Sequence, residues 1–376
     1  MLALLPIACF AASVAWLWLK DGGSCSDRSW RWTFISACVL WGVLVTGITE
    51  LLSLANWIYP LCLAIAWLLV LTAVAGRSVI LLSRQPRAVR LPFVDIDNHE
   101  VALLACLVLV VALTGVVAAI SAPNTWDSMT YHMSRVAHWI QNRSIADYPT
   151  HILRQLHQSP WAEYAVMNLQ LLGGTDRLAN FVQWFSMIGS LIGVSLIIEE
   201  LGGDRFVQML GAAIAATIPM GILQASSTQN DFVVSFWLAC FTYFVLRIRR
   251  TQGQSTPDLP VICGTGASLG LAILTKATAY LFALPFCLVT IAIVLRRPKL
   301  RLVGSLTVVP ILALALNVGQ YQRNMAVYGS PLGPSQERRT ALPTPTRLFR
   351  PRYSSLMRYA TSRCTWAPPT SSSMLG

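Results

Sequence analysis

The run VALLACLVLVVALTGVVAAIS, Val101 to Ser121, contains no charged residue. A helix of about 20 apolar residues spans the roughly 30 Å hydrocarbon core of a bilayer. Similar runs recur along the 376 residues of the chain, of which 55% are hydrophobic and only 12% are charged. A water-soluble protein of this length needs more charged residues on its surface. The sequence therefore predicts an all-α fold, a polytopic bundle of transmembrane helices.

Hydropathy divides the chain into about ten predicted spans. The first has no basic segment before it, so we expect a retained span and not a cleaved signal peptide. We expect three N-terminal helices in residues 1–99, a membrane core in residues 100–334 with an outer loop at 122–180, and an irregular tail at 335–376 that ends a shortened chain. The spans are predicted at residues 2–19, 33–53, 58–81, 101–121, 181–199, 206–224, 231–247, 260–275, 278–295 and 302–321.

The basic residues are distributed unevenly between the predicted loops. Cytoplasmic loops of membrane proteins are enriched in Lys and Arg, so the net charge of +12 does not indicate a nucleic-acid partner. With the N terminus outside, the alternate, inner loops hold 15 of the 28 Lys and Arg residues. The short outer loops carry only Lys276. This asymmetry predicts that the loop 122–180 faces the periplasm or exterior, and we expect an integral plasma (inner) membrane protein.

The outer loop begins with WDSMTYHMSRVAHW, Trp126 to Trp139, which is rich in titratable groups. At 100° per residue, its helix places polar and apolar residues on opposite sides, which predicts an amphipathic helix along the outer membrane surface. Asp127 is either a helix cap or a general base, and both roles stay open. The predicted polar side carries Asp127, Tyr131, Ser134, Arg135, His138 and Asn142. The apolar side carries Met129, Met133, Val136, Ala137 and Ile140, with His132 and Trp139 at its border.

Three further features surround this loop. Ser159 and Pro160 predict the start of a second helix that Gly173–Gly174 end. Four of the five histidines lie in the loop region without a zinc-binding spacing, so a metal site is a weaker alternative to a solvated loop. Asn230–Asp231 begin a span and Lys276 interrupts an apolar run, where a charge costs about 2.5–3.5 kcal/mol. We expect Lys276 to bind an anion such as a phosphate.

The order of these segments resembles a known family. The segments that carry the resemblance are, in chain order, WDSMTYHMSRVAHW, SPWAEYAVMNLQLLGG, DRLANFVQWFS, STQNDFVVSFWLACFTYFVLR, LGLAILTKATAYLFALP and QRNMAVYGSPLGP. Over residues 100–334, the set resembles the type C (GT-C) membrane glycosyltransferases, in particular glycosyltransferase family 39-like bacterial proteins related to protein mannosyltransferases.

The resemblance implies an enzyme that takes a sugar from a polyprenyl-phosphate donor and transfers it to a lipid, glycan or protein acceptor. It implies that Asp127 is the base on the acceptor hydroxyl and that Lys276 and Arg323 hold the lipid phosphate. Many relatives carry a second acid in this loop, for which Asp147 and Glu163 are the candidates. No cofactor is firmly indicated, and a divalent metal is left open. The full set of predicted substrate-binding residues is Tyr131, His132, Arg135, His138, Glu163, Asn230, Asp231, Lys276 and Arg323.

Two other classes of protein remain as alternatives. A transporter or flippase for a lipid-linked or small anionic solute typically shows internal repeats and broken helices. The sequence shows no obvious repeat, and its polar cluster lies in a loop and not at mid-membrane. A non-catalytic membrane subunit is the third interpretation, favoured if the shortened C terminus removes an essential part.

Overall fold

The computed structural model describes residues 2–20, 30–84, 97–250, 258–296 and 306–334, and the predicted tail at 335–376 lies outside them. The described residues form helices and turns with no β-strand, which confirms the all-α prediction. The helices are α1 Leu4–Lys20, α2 Trp30–Leu54, α3 Pro60–Arg84, α4 Asn98–Ile120, α5 Met133–Asn142, α6 Arg154–His157, α7 Trp161–Gly173, α8 Phe181–Glu200, α9 Arg205–Ala216, α10 Pro219–Ala225, α11 Asp231–Arg250, α12 Leu259–Thr275, α13 Ala279–Arg296 and α14 Val308–Tyr328.

Five of these helices, α2, α3, α4, α8 and α11, are long and apolar enough to cross a bilayer. The bent pair α9 and α10 makes a sixth if it is counted as one span. The helices α1, α12 and α13 are apolar but shorter. The second half of α14 carries polar side chains. A polytopic membrane bundle is therefore confirmed, while the number of clear spans among the described residues is smaller than ten.

The predicted span at 206–224 is broken, because the chain bends by 70° between α9 and α10. Pro219 occupies the first turn of α10, and Ile218 before it is extended, with φ −61° and ψ 117°. A residue that precedes proline is disfavoured in the helical region, since the proline ring clashes with its backbone. By contrast, the predicted break near Lys276 is confirmed, because Lys276 is extended between α12 and α13.

Close packing of α12 against α14 brings the C-terminal helix into the bundle. A Cβ atom added at Gly266 would lie 3.0 Å from the Cα of Val309, and one at Gly270 would lie 3.0 Å from the Cα of Ala313. Small residues let two membrane helices approach this closely. The consequence for the site is that the polar end of α14 reaches the loop between α4 and α8.

Charged side chains gather at the two ends of the bundle. At one end, ion pairs join neighbouring helices, with Arg31 on Glu199, Arg205 on Glu100, and Arg247 on Glu200. At the other end lie the α4–α8 loop and the outer ends of α2, α11, α12 and α14. This arrangement agrees with the alternation that the sequence predicts, in which the loop 122–180 and Lys276 share one side.

Candidate functional site

The chain leaves α4 at Ser121 and re-enters a helix just before Asp127. Thr125 caps this turn, since its Oγ1 accepts a hydrogen bond of 3.2 Å from the Ser128 N–H. The side chain of Asp127 makes no capping hydrogen bond. The interpretation of Asp127 as a helix cap is therefore wrong, and its carboxylate is directed to other partners.

The loop helix, which follows Asp127 and comprises residues 128–142, does not face the way its sequence predicts. Residues Ser128–His132 form a π-helical turn before α5, and such a turn holds one extra residue, which rotates the helix. Arg135, predicted on the water-facing side, is 1% exposed, whereas Met129, predicted on the apolar side, is 61% exposed. The buried stripe consists of Ser128, Tyr131, His132, Arg135, Val136 and Trp139.

This stripe packs against α7, where Glu163 is the buried centre of an ionic cluster. The Glu163 Oε1 lies 2.7 Å from His132 Nδ1 and 3.4 Å from Arg135 Nη1. Burial alone raises the pKa of a carboxyl, but the charges of His132 and Arg135 hold the pKa of Glu163 below its usual value. Glu163 is therefore a charged anchor for the loop helix, and burial of both partners leaves little access for a substrate.

Arg135 also fixes the short helix α6. Its Nη2 donates to the carbonyl of Gln158 at 2.7 Å and to that of Arg154 at 3.3 Å, and its Nε donates to the carbonyl of Gln155. The Gln155 side chain donates in turn to the carbonyl of Thr130 at 2.7 Å. Because these bonds restrain the backbone of α6, they also fix the position of Arg154 relative to the loop helix.

Arg154 and Tyr131 are the neighbours of Asp127. The Arg154 Nη1 lies 3.8 Å from Asp127 Oδ1, and the two side chains are 59% and 36% exposed. Burial raises the pKa of the Tyr131 phenol, and the neighbouring charges of Asp127 and Glu163 raise it further. Asp127 thus has an ionised partner nearby without being enclosed, which leaves its carboxylate accessible to a hydroxyl group.

The connection between α10 and α11 contacts Ser128, the residue that follows Asp127. The hydroxyl of Thr228 donates to Ser128 Oγ at 2.6 Å, so the α10–α11 connection lies against the loop helix. The Asn230 side chain donates to the carbonyl of Thr275 at 3.2 Å. The structure therefore brings the start of α11 and the end of α12 to the same surface as Asp127.

At that surface, Lys276 and Asp231 form an ion pair. The Lys276 Nζ lies 2.6 Å from Asp231 Oδ1, with side-chain exposures of 34% and 41%. A half-exposed pair is weakly held, since water screens both charges. Lys276 can therefore exchange this carboxylate for the phosphate of a ligand.

The predicted residue Arg323 lies near the ends of α2 and α14, where it contacts Glu50 and Tyr164. Its Nη1 and Nη2 each lie 2.9 Å from an oxygen of Glu50, and Nη2 donates to the Tyr164 hydroxyl at 2.7 Å. This bidentate pair is a strong and directional contact. Arg323 is therefore less available to a lipid phosphate than Lys276.

The predicted histidines are not brought together. His132 faces Glu163, His138 stacks on Tyr148 with ring centroids 4.1 Å apart, and His157 packs edge-on against Tyr328. Within the described ranges, no group of three or more His, Cys, Asp or Glu side chains could hold a metal ion. Asp147, a candidate second acid, has a pKa raised by burial against the opposing charges of Arg323 and Arg135.

Three residues that contact predicted site residues were missed by the sequence analysis, namely Glu50, Tyr164 and Arg154. An acid near the end of an apolar run is costly in a membrane and signals a functional or paired residue, so Glu50 was detectable. Tyr164 carries no such signal in a helix of mixed composition. Arg154 lies in an irregular loop, and its place beside Asp127 depends on the Arg135 contacts.

Comparison with known proteins identifies a family over part of the chain. Residues 158–318 match the sequence profile of a family described as dolichyl-phosphate-mannose-protein mannosyltransferase. No curated protein matches the chain, and no solved structure does. The match confirms the resemblance to type C glycosyltransferases and indicates a membrane glycosyltransferase of that type. The matched segment includes Glu163, Asp231 and Lys276 and does not include Asp127 or Arg323.

Proposed function

We propose that the protein transfers a sugar from a polyprenyl-phosphate donor to an acceptor hydroxyl at the outer membrane surface. The observation that carries the proposal is the exposure of the Asp127 carboxylate and its lack of a capping hydrogen bond. The carboxylate is 36% exposed, lies beside the mostly exposed Arg154, and does not cap its helix. A general base needs a charged carboxylate that an acceptor hydroxyl can approach within hydrogen-bond distance. The family match at 158–318 supplies the reaction class.

In the proposed reaction, an oxygen of Asp127 takes the proton of the acceptor hydroxyl as the hydroxyl oxygen attacks the anomeric carbon. The bond between that carbon and the donor phosphate oxygen breaks, and its electron pair leaves with the polyprenyl phosphate. Attack opposite to the leaving group inverts the configuration of the anomeric carbon. The proton on Asp127 is later lost to water, which restores the carboxylate.

The leaving phosphate carries negative charge, which cations at the site stabilise. Lys276 is the proposed phosphate contact, since its pair with Asp231 is half-exposed. Arg154 is a second cation within reach of the same surface, because its side chain is 59% exposed. Tyr131, His132, Arg135, His138, Glu163, Asn230 and Arg323 shape and support this surface in the proposal.

A second acid is not required for the proposed step. Glu163 is 2% exposed and already contacts both His132 and Arg135, so it supports the loop helix and does not receive a proton. The proposal therefore rests on one carboxylate. The acceptor class stays a lipid, a glycan or a protein.

The proposed location is the plasma (inner) membrane, with the loop 122–180 in the periplasm or exterior. His151 in that loop is exposed, and so is Arg249 at the opposite end of α11. We expect a membrane-impermeant thiol reagent added to intact cells to label His151→Cys and to leave Arg249→Cys unlabelled. Labelling of Arg249→Cys alone would reverse the topology.

The experiment that tests the activity uses purified protein in vesicles with a panel of polyprenyl-phosphate sugars and mixed acceptors. We expect release of free polyprenyl phosphate from one donor of the panel, together with a glycosylated acceptor. Absence of release from every donor, with folded protein present, contradicts the proposed transfer.

One observation favours a second candidate function. The bent pair α9 and α10 is a broken helix, and transporters use broken helices around their binding sites. A flippase would move the lipid-linked sugar between leaflets without cleaving it. In the same vesicles, donor that changes leaflet while all sugar stays on the lipid would select the flippase.

A further inference from the structure

An apolar cavity of about 360 Å³ lies between α1, α2, α7, α8 and α11. The only hydroxyl group in its wall belongs to Ser186, and this hydroxyl donates to the Val182 carbonyl at 2.7 Å. Four tryptophans form much of the remaining wall, namely Trp41, Trp161, Trp184 and Trp237. A cavity of this chemistry does not hold water, because water needs polar partners.

Three of the four tryptophans are held by hydrogen bonds to backbone carbonyls, while the indole N–H of Trp237 is buried without a hydrogen-bond partner among the described residues. The indole N–H groups of Trp41, Trp161 and Trp184 donate to the carbonyls of Pro6, Gly42 and Val111 at 3.0, 3.1 and 3.0 Å. Trp161 and Trp237 also meet edge to face with ring centroids 4.9 Å apart. The cavity is therefore a preformed space and not a gap that side chains can close by a small rotation.

The two most exposed residues of the cavity wall lie on α1 and α8. Ile7 of α1 and Phe185 of α8 line the cavity and are 50% and 38% exposed. In a membrane, these two residues contact hydrocarbon chains. A chain can therefore enter sideways between α1 and α8 without passing through water.

We propose that this cavity holds one acyl chain of a bilayer phospholipid as a resident ligand. Its volume is at the lower end of the roughly 300–1,000 Å³ of small-molecule sites, which suits a single chain. Its lining contains no charged residue, so the headgroup stays outside at the membrane surface. The chain moves from one apolar environment to another, so the binding free energy comes from dispersion contacts with a cavity wall that otherwise lacks partner atoms.

The position of the cavity separates this ligand from the proposed sugar donor. Two of its walls, α1 and α2, lie outside the segment 158–318 that matches the glycosyltransferase family. Neither Asp127 nor Lys276 lines it. The proposal therefore concerns a second lipid and does not depend on the proposed reaction.

A chain in the cavity touches the helix that carries the ionic cluster. Trp161 forms part of the wall, and Glu163 and Tyr164 follow it within the first turn of α7. A bound chain therefore lies against the first turn of α7 at Trp161. The lipid thus acts as a structural support for Glu163 and Tyr164.

The test is native mass spectrometry of the full-length protein released from nanodiscs made of one phosphatidylethanolamine with added polyprenyl phosphate. Ile7→Trp narrows the entrance at an exposed position and should not disturb the core. Leu4→Trp, at a 60% exposed position of the same helix that does not line the cavity, is the matched control. We expect one retained phospholipid on the wild type and on Leu4→Trp, and at least a threefold lower fraction on Ile7→Trp.

Two results with Ile7→Trp overturn the proposal. One is equal retention of phospholipid by Ile7→Trp and Leu4→Trp. The other is selective loss of polyprenyl phosphate, in place of phospholipid, from Ile7→Trp. A second variant inside the cavity, Ser186→Leu, should lose the phospholipid as Ile7→Trp does, and its thermal unfolding confirms that it is folded. Retained phospholipid on folded Ser186→Leu also overturns the proposal.

Discussion

Two carboxylates flank the same loop helix, and they are held in opposite ways. Glu163 is 2% exposed and contacts His132 and Arg135. Asp127 is 36% exposed and has Arg154 at 3.8 Å. A buried carboxylate between an arginine and a histidine is held in its charged form, whereas an exposed carboxylate with a loosely held partner can exchange that partner. We therefore infer that Glu163 stabilises the fold of the loop and that Asp127 takes part in the proposed reaction.

The difference follows from the cost of removing each group. Deleting one member of a buried ionic pair leaves the other charge without compensation, which costs about 3–5 kcal/mol. An exposed pair contributes only about 0–1 kcal/mol. Stability should therefore depend strongly on Glu163 and hardly on Asp127, while transfer should depend on Asp127.

The largest effect is expected for Asp127→Asn. An amide cannot take the acceptor proton, so sugar transfer should fall by about 10²–10⁴-fold, the usual contribution of a general base. Release of polyprenyl phosphate from vesicles measures it. Thermal unfolding should stay close to that of the wild type, and retained transfer would contradict the role of Asp127.

The next effect is a loss of stability in Glu163→Ala. Arg135 and His132 then stay buried without their carboxylate, and we expect a loss of about 3–5 kcal/mol. Unfolding of the purified protein in detergent measures this change. Glu163→Gln, which keeps a hydrogen-bond acceptor at the same place, is the control and should lose less. An unchanged unfolding transition in Glu163→Ala would show that the cluster is not a structural anchor.

A smaller effect is expected for Lys276→Ala. Loss of the ammonium group should weaken donor binding roughly tenfold, or about 1.4 kcal/mol, with a smaller change in turnover. Titration of the vesicles with the active donor separates the two quantities. Asp231→Asn is the matched control, because it frees Lys276 and should not weaken the donor. Equal donor affinity in Lys276→Ala and the wild type would rule out a phosphate contact.

The smallest effect on stability is expected for Arg154→Ala. Its exposed contact with Asp127 contributes no more than about 1 kcal/mol, and the Arg135 bonds to the α6 backbone remain. The unfolding transition should stay near that of the wild type while transfer falls. A loss of stability as large as that of Glu163→Ala would remove the distinction between the two carboxylates.

Much of the fold was predictable because membrane helices are recognised by length and apolar composition. The run at Val101–Ser121 matches α4 to within a few residues. The break at Lys276 also followed from composition. The bend at Pro219 was missed, since hydropathy averages over a proline whose effect is local.

The site was predictable in its residue types and less so in its contacts. Asp127, Glu163, Asp231 and Lys276 were identified because charged groups are rare in this chain. The burial of Arg135 was missed because a regular helix was assumed, and the π-helical turn at Ser128–His132 rotates the residues that follow. The pair of Arg323 with Glu50 joins residues 273 positions apart, and single-sequence patterns do not report such contacts.

The most direct test measures transfer and unfolding on the same preparations of Asp127→Asn and Glu163→Gln. The account predicts that Asp127→Asn unfolds like the wild type and releases no polyprenyl phosphate above background. It predicts that Glu163→Gln unfolds earlier and retains transfer in the fraction that stays folded. Full transfer by folded Asp127→Asn, or a complete loss in folded Glu163→Gln, would contradict the assignment of the base to Asp127.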